Sequence, residues 1–365
     1  MSTLQSAFAP DYAAARARFR AAATARQAAL TEHVHPHARG PRDEALAIDV
    51  AQVGSRDAPA LLVVTSGTHG VEGFCGSGIQ VALLEDPAIT AALAAANATL
   101  ALVHAVNPYG FAHIRRVNED NVDLNRNFRD FTLPLPANPA YAEVHGFVVP
   151  TAWPATADTE QRLGAYLAQH GPARLQAALT GGQHEFPDGL FYGGRAPAWS
   201  NLTLRAIFRD IGATRARIGW IDIHTGLGPA GHGEKIFSGP DDATMLARTR
   251  AWFGADVTSF YTGSSSSAAV TGSVSAAAID ECPAARYAGI GLEFGTVPLT
   301  HALQALRADQ WLANQRGARP PQHEPIKRAL RDAFYVDSDE WRGMVYGQAR
   351  VSLLQALAGL AMEGP

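Results

Sequence analysis

The chain has 365 residues, 47% of them apolar and 18% charged, with a formal net charge of −4. This is an ordinary globular composition with material for a large buried core, and its slight acidity argues against nucleic acid or an anionic membrane surface as the main partner. No apolar run approaches the roughly 20 residues that span a bilayer. The start MSTLQSAFAPDYAAARARFR lacks the order of a signal peptide, and Cys75 and Cys282 make no disulfide framework, so a cytoplasmic protein is expected.

Residues 11–31 are rich in Ala and Arg, with Asp11 as N-cap, and predict a helix. Beyond His33–Pro41, β-type runs fall at Ala45–Val50, Leu61–Thr65, Thr99–Val106, Ala216–Ile223 and Ala288–Phe294. Helical patterns lie near 79–85, 159–178, 199–210, 241–253 and 299–316, and two more helices are expected within 323–361. Strands alternating with helices predict a layered α/β domain with a parallel or mixed sheet. No repeat or linker interrupts it, so 1–365 reads as a single domain, its core at about 40–316 and the terminal helices packed on it. The Pro-rich stretch 129–158 and the Gly/Pro-rich stretch 181–198 read as excursions that wall a cleft, and Gly263–Ser267 as a mobile loop.

The polar motifs fall at strand ends, where open α/β sheets place their ligands. In Thr68-His-Gly-Val-Glu-Gly73, His69 and Glu72 can reach one ion from a tight turn. The motif is weak alone in a chain with 13 His. Trp220-Ile-Asp-Ile-His224-Thr-Gly226 supplies a third ligand at the tip of a strand, with Asp222 on the same face to orient it. Two His and one carboxylate form the protein part of a catalytic zinc site with an open position, one Zn2+ per chain. Between these motifs, Asn107-Pro-Tyr-Gly110 precedes a run from Arg115 to Phe128 dense in Arg, Asn and Asp. Its arginine forks suit a carboxylate or a developing oxyanion. In Gly289-Ile-Gly-Leu-Glu293-Phe-Gly295 a lone carboxylate interrupts an apolar strand. Such a group is rarely buried unpaired, and beside an activated water it can serve as general base.

In order, H-x-x-E, N-P-x-G, N-R, a His after a strand and a Glu within one resemble the zinc metallocarboxypeptidase superfamily of the carboxypeptidase A type. The resemblance covers about residues 60–296 and extends to the deacylase relatives, aspartoacylase and succinylglutamate desuccinylase. The chain as a whole is similar to an uncharacterised bacterial carboxypeptidase-like group. The resemblance implies a three-layer α/β/α fold with a mixed, roughly eight-stranded sheet. It implies zinc on His69, Glu72 and His224, Glu293 as base, Asn125 and Arg126 gripping a substrate carboxylate, and Arg115 or Arg116 as the oxyanion arginine. The family's mobile Tyr has two candidates, Tyr261 and Tyr287. The expected reaction is hydrolysis of an amide in a small carboxylate-bearing substrate, a peptide or an N-acyl amino acid. The alternatives are a deacylase and a non-catalytic binding homologue.

The remaining histidines read as structural. His104 belongs to a strand, and His113 and His232 to loops. Cys75 reads as a small buried hydrophobe. Phe334, Tyr335, Trp341 and Tyr346 read as packing anchors or part of a homo-oligomer interface. No G-x-S-x-G elbow supports a serine nucleophile.

Overall fold

A computed structural model describes residues 4–315 and 319–362. Residues 1–3, 316–318 and 363–365, including the expected end of the 299–316 helix and the termini of the single 1–365 domain, lie outside it. Among the described residues, seven strands form one mixed sheet: β1 (Ala29–Arg39), β2 (Ala45–Val53), β3 (Ala60–Thr65), β4 (Ala98–His104), β5 (Arg217–Ala230), β6 (Gly233–Phe237) and β7 (Arg286–Gly295). Their order is β1-β2-β4-β3-β5-β7-β6, where roughly eight strands were expected. The central strands β4, β3, β5 and β7 run parallel, and β1, β2 and β6 pair antiparallel at the flanks.

Alternation along the central strands produces three layers. Leu62 and Val64 of β3 join the core under Phe19, Phe74 and Ile79. Leu61 and Val63 point the other way, to Leu204, Ile207, Phe208 and Ile211. The first set belongs to helices Tyr12–Ala25 and Gly73–Glu85, with Asp339–Met362 on the same side, and the second to helix Trp199–Gly212. Among the described residues no single helix is long and apolar enough to cross a membrane.

Three elements differ from expectation for identifiable reasons. The first helix, capped by Asp11, ends at Ala25 rather than residue 31. The chain instead turns into β1, whose Thr-Glu-His-Val-His-Pro-His run lacks an apolar face because it is an edge strand with mostly exposed side chains. The helix expected over 159–178 is broken at Gly171–Pro172 into Ala157–His170 and Pro172–Thr180, because Pro has no N–H to continue the ladder. The Gly-rich stretch after His224 continues β5 and returns as β6, so only His232 itself is on an exposed turn.

Candidate metal centre and its cavity

β3 delivers the chain to the Gly-rich turn, where a short 3-10 turn, Gly70–Glu72, runs into helix Gly73–Glu85. This turn lies against the next loop. Gly70 N–H donates to Arg116 O (3.0 Å) and Val71 N–H to Arg115 O (2.8 Å). A Cβ at Gly70 would collide with the backbone of Gly110, so the glycine at 70 allows the H-x-x-E and N-P-x-G turns to touch. β5 and β7 are in parallel register with His224 opposite Glu293, which places ligand and base side by side.

His69 Nδ1 lies 2.8 Å from Glu72 Oε1, His224 Nδ1 lies 2.9 Å from Glu72 Oε2, and the two Nδ1 atoms are 3.2 Å apart. These donors form a group able to hold a metal ion. Their spacing is close to the roughly 3.3 Å edge of a tetrahedron with zinc-like bonds of about 2.0 Å. Each imidazole turns its other nitrogen to a buried carboxylate: His69 Nε2 to Asp123 Oδ1 (3.1 Å) and His224 Nε2 to Asp222 Oδ2 (2.7 Å). A proton held on each Nε2 leaves two Nδ1 lone pairs facing each other, an arrangement that a cation resolves. The chemistry of the donor set therefore fits a metal ion. Asp222 is itself fixed by Thr65 Oγ1 (2.6 Å) and Thr68 Oγ1 (2.9 Å).

Electrostatics agree with the geometry. Burial lifts the Glu72 carboxyl, but the two imidazoles outweigh it and hold it well below the carboxylate range. Burial opposes charge on His224, yet Asp222 and Glu72 raise it well above its ordinary value. Burial also opposes charge on Asp123, which Arg116 and His69 hold well below its ordinary range. Glu293 behaves oppositely. Burial, then the charge of Glu72, pushes it up to about 8, while its Oε1 accepts from Leu227 N–H at 3.0 Å.

The arginines separate. Arg116 lines the centre, with Nε donating to Asp123 Oδ2 (3.0 Å), Nη1 to Glu72 Oε1 (3.4 Å), and Nη2 2.7 Å from His69 Nε2. The last contact requires His69 to be protonated on Nδ1, so the tautomer that frees Nδ1 for a cation also releases Arg116 Nη2, while Nε stays on Asp123 and Nη1 on Glu72. Arg115 points away: its Nε donates to Asp309 Oδ2 (3.1 Å), and Lys327 Nζ donates to the other oxygen, Oδ1, at 2.6 Å. Its place as an oxyanion candidate is corrected, because a buried ion-pair network holds it outside the site. Arg126 is buried at the cavity wall, with Nε and Nη2 donating to Thr180 O and Nη1 to Asn125 O. Burial lowers it to about 10. Two of its five N–H bonds have no partner in these contacts. Asn125 also lines the cavity, but its Oδ1 accepts from Val274 N–H at 2.9 Å. Tyr261 stands on the rim, 42% exposed. Tyr287 does not reach the cavity: its buried hydroxyl donates to Ser238 O at 2.9 Å, so its place as a substrate-binding candidate is also corrected.

His69, Glu72, His224, Glu293, Arg116, Asn125, Arg126 and Tyr261 line one cavity of about 420 Å³. Sequence reasoning did not assign Asp123, although Asp-Leu-Asn-Arg carries it, nor Phe191, whose ring lies 5.0 Å from the Arg116 guanidinium carbon and 5.7 Å from that of Arg126. Phe334, expected as a packing anchor or part of a homo-oligomer interface, lines the cavity. His104 is a core residue against Ser77 and Phe19, His113 bonds Arg39 O, and Cys75 is buried in its helix.

The mixed sheet layered with helices is a carboxypeptidase-like fold. Bovine thrombin-activatable fibrinolysis inhibitor, solved with tick carboxypeptidase inhibitor, is similar with a TM-score of 0.52 at 10% identity over 98% of both chains. Carboxypeptidase A from Helicoverpa armigera matches at 15% identity and a TM-score of 0.44 over 94% of this chain and 73% of that one. A putative metallopeptidase from Shewanella denitrificans matches at 14% identity and a TM-score of 0.39 over 83% of this chain and 90% of that one. The chain belongs to the DUF2817 family of proteins of unknown function, whose model matches residues 8–348. No curated protein matches it.

Proposed function

We propose that the protein is a zinc-dependent amide hydrolase for substrates bearing a free carboxylate. The observation that carries this reading is the convergence of His69 Nδ1, Glu72 and His224 Nδ1, with each imidazole backed by a carboxylate and Glu293 opposite His224 in the same cavity. A non-catalytic binding site has no need of that last group. When bound, zinc supplies Lewis acidity at the cavity floor. Glu293 takes a proton from the attacking water and delivers it to the departing nitrogen. Arg116 donates hydrogen bonds to the oxygen that becomes negative as the carbonyl carbon turns tetrahedral. The free N–H groups of Arg126 receive the substrate carboxylate, and Phe191 packs against both guanidiniums.

The test is turnover of dipeptides and N-acyl amino acids, each with a free and an amidated carboxylate, by wild type and Arg126→Met. Loss of a charged hydrogen bond costs roughly 1.5–3 kcal/mol, or about 10- to 150-fold in kcat/KM. Amidation should reduce the wild type by that factor, mainly through KM, and have little further effect on Arg126→Met. Additive losses would mean that Arg126 does not read the carboxylate. A zinc-loaded protein that cleaves no amide in either panel would exclude the hydrolase.

A further inference from the structure

Three helices, Ala157–His170, Pro172–Thr180 and Leu299–Ala313, border the cavity beside β5, β6 and the 260–274 segment. They present Leu167, Leu175, Leu179, Leu299, Leu303 and Leu306 to the cavity. Leu175 and Leu179 are spaced i, i+4, and Leu299, Leu303 and Leu306 are spaced i, i+4, i+7, so each set forms one continuous helical face. The second face follows directly on β7, the strand carrying Glu293, and begins at Leu299, which is 45% exposed at the mouth.

These walls suit an alkyl chain better than a peptide. Helix interiors spend their N–H and C=O groups on their own turns, so an extended peptide finds no strand-like partner along them. On the second of these helices, Gln176 Nε2 donates to Ser266 O at 3.2 Å and Thr180 O accepts from Arg126. Among the described residues, the carboxylates lining the cavity are Glu72, Asp222 and Glu293, all hydrogen-bonded at the floor. A basic side chain therefore has no counter-ion along the walls. We infer that the acyl side of the substrate is a medium-length to long aliphatic chain, making the substrate an N-acyl amino acid with its carboxylate on Arg126 and its alkyl chain along the leucine faces. The inference rests on the amide-hydrolase reading. The balanced reaction is hydrolysis of the amide C–N bond by one water, yielding the fatty acid and the amino acid.

The test uses zinc-loaded full-length protein and N-acyl-alanines from acetyl to dodecanoyl, beside alanyl-alanine. Each methylene buried should raise kcat/KM about fourfold until the cavity is filled, and Leu303→Glu should flatten that slope. A flat wild-type series, or a preference for the dipeptide over decanoyl-alanine, overturns the inference while leaving the hydrolase intact. Calorimetric titration of Glu293→Gln with decanoyl- and acetyl-alanine separates the remaining outcomes. Chain-length-dependent binding without wild-type turnover supports the acyl site and defeats the hydrolase. Equal or absent binding of both ligands, without wild-type turnover, overturns both.

Discussion

His69 and Glu72 follow the end of β3, His224 and Glu293 lie side by side within β5 and β7, and backbone contacts or buried carboxylates fix each of them. The segment from Ser259 to Ser275, which supplies Tyr261, Val270 and Val274 to the same cavity, is held only at points. Ser266 donates its hydroxyl and N–H to Glu234, and its carbonyl accepts from Gln176. Farther along, Gly272 O accepts from Phe128 N–H and Val274 N–H donates to Asn125. The difference teaches that the proposed reacting groups sit on a rigid sheet, while part of the cavity rim sits on a segment whose few anchors can be cut one at a time. Substitutions at the floor should therefore act on kcat, and substitutions in the pinned segment on KM.

Glu293→Gln should break catalysis most, lowering kcat by about 10²–10⁴ with zinc retained, as befits loss of a general base. Near-normal turnover would make Glu293 an ordinary strand residue. The same variant has a second signature in metal-free protein. Glu293 is raised from 4.5 to about 8 on folding, so the folded state keeps a proton that the unfolded chain releases. Stability tied to this group is full below the unfolded value and is lost as pH rises through the folded one. Gln lacks that loss, so the melting temperature of the variant should gain on wild type between pH 5 and pH 9. A constant gap across that range would contradict the buried, proton-retaining Glu293.

Adjacent arginines sharpen the comparison next. Arg116→Met should lower kcat by about 10²–10³, the usual cost of one oxyanion donor. Arg115→Met should leave kcat nearly unchanged and destabilise the fold by about 1.5–3 kcal/mol, the cost of a charged hydrogen bond, because Asp309 keeps Lys327. Denaturant unfolding alongside steady-state kinetics separates the two, and exchanged signatures would reassign the roles.

The strand-end chemistry was legible because metal and proton transfer demand particular residue types at fixed places. His69, Glu72, His224 and Glu293 each interrupt or terminate an apolar run. The choice between Arg115 and Arg116 was not legible. Neighbouring residues point apart, and what holds Arg115 is Asp309, on a helix far along the chain. Tyr287 stood six residues before Glu293 and looked like a site residue, but a parallel strand carries that separation well below the cavity. β1 and β6 were missed because edge strands need no apolar alternation. The leucine walls read as ordinary amphipathic helices, and only tertiary packing shows that one face of each borders a cavity.

The smallest expected effect is at the pinned segment. Glu234→Gln keeps shape but weakens two charge-assisted contacts to Ser266, so KM should rise about tenfold, the cost of roughly one charged hydrogen bond, with kcat little changed. Limited proteolysis should cut within 263–270 sooner than in wild type. An equal fall in kcat would place this segment in the chemistry rather than in substrate selection.

The central claim is the metal centre, and anomalous diffraction at the zinc edge from crystals of zinc-treated protein tests it most directly. One strong peak should lie between His69 Nδ1, Glu72 and His224 Nδ1, at about 2.0–2.1 Å from each nitrogen. Nε2 of each imidazole should remain on Asp123 or Asp222. A peak elsewhere, coordination through either Nε2, or no peak at saturating zinc would contradict the account.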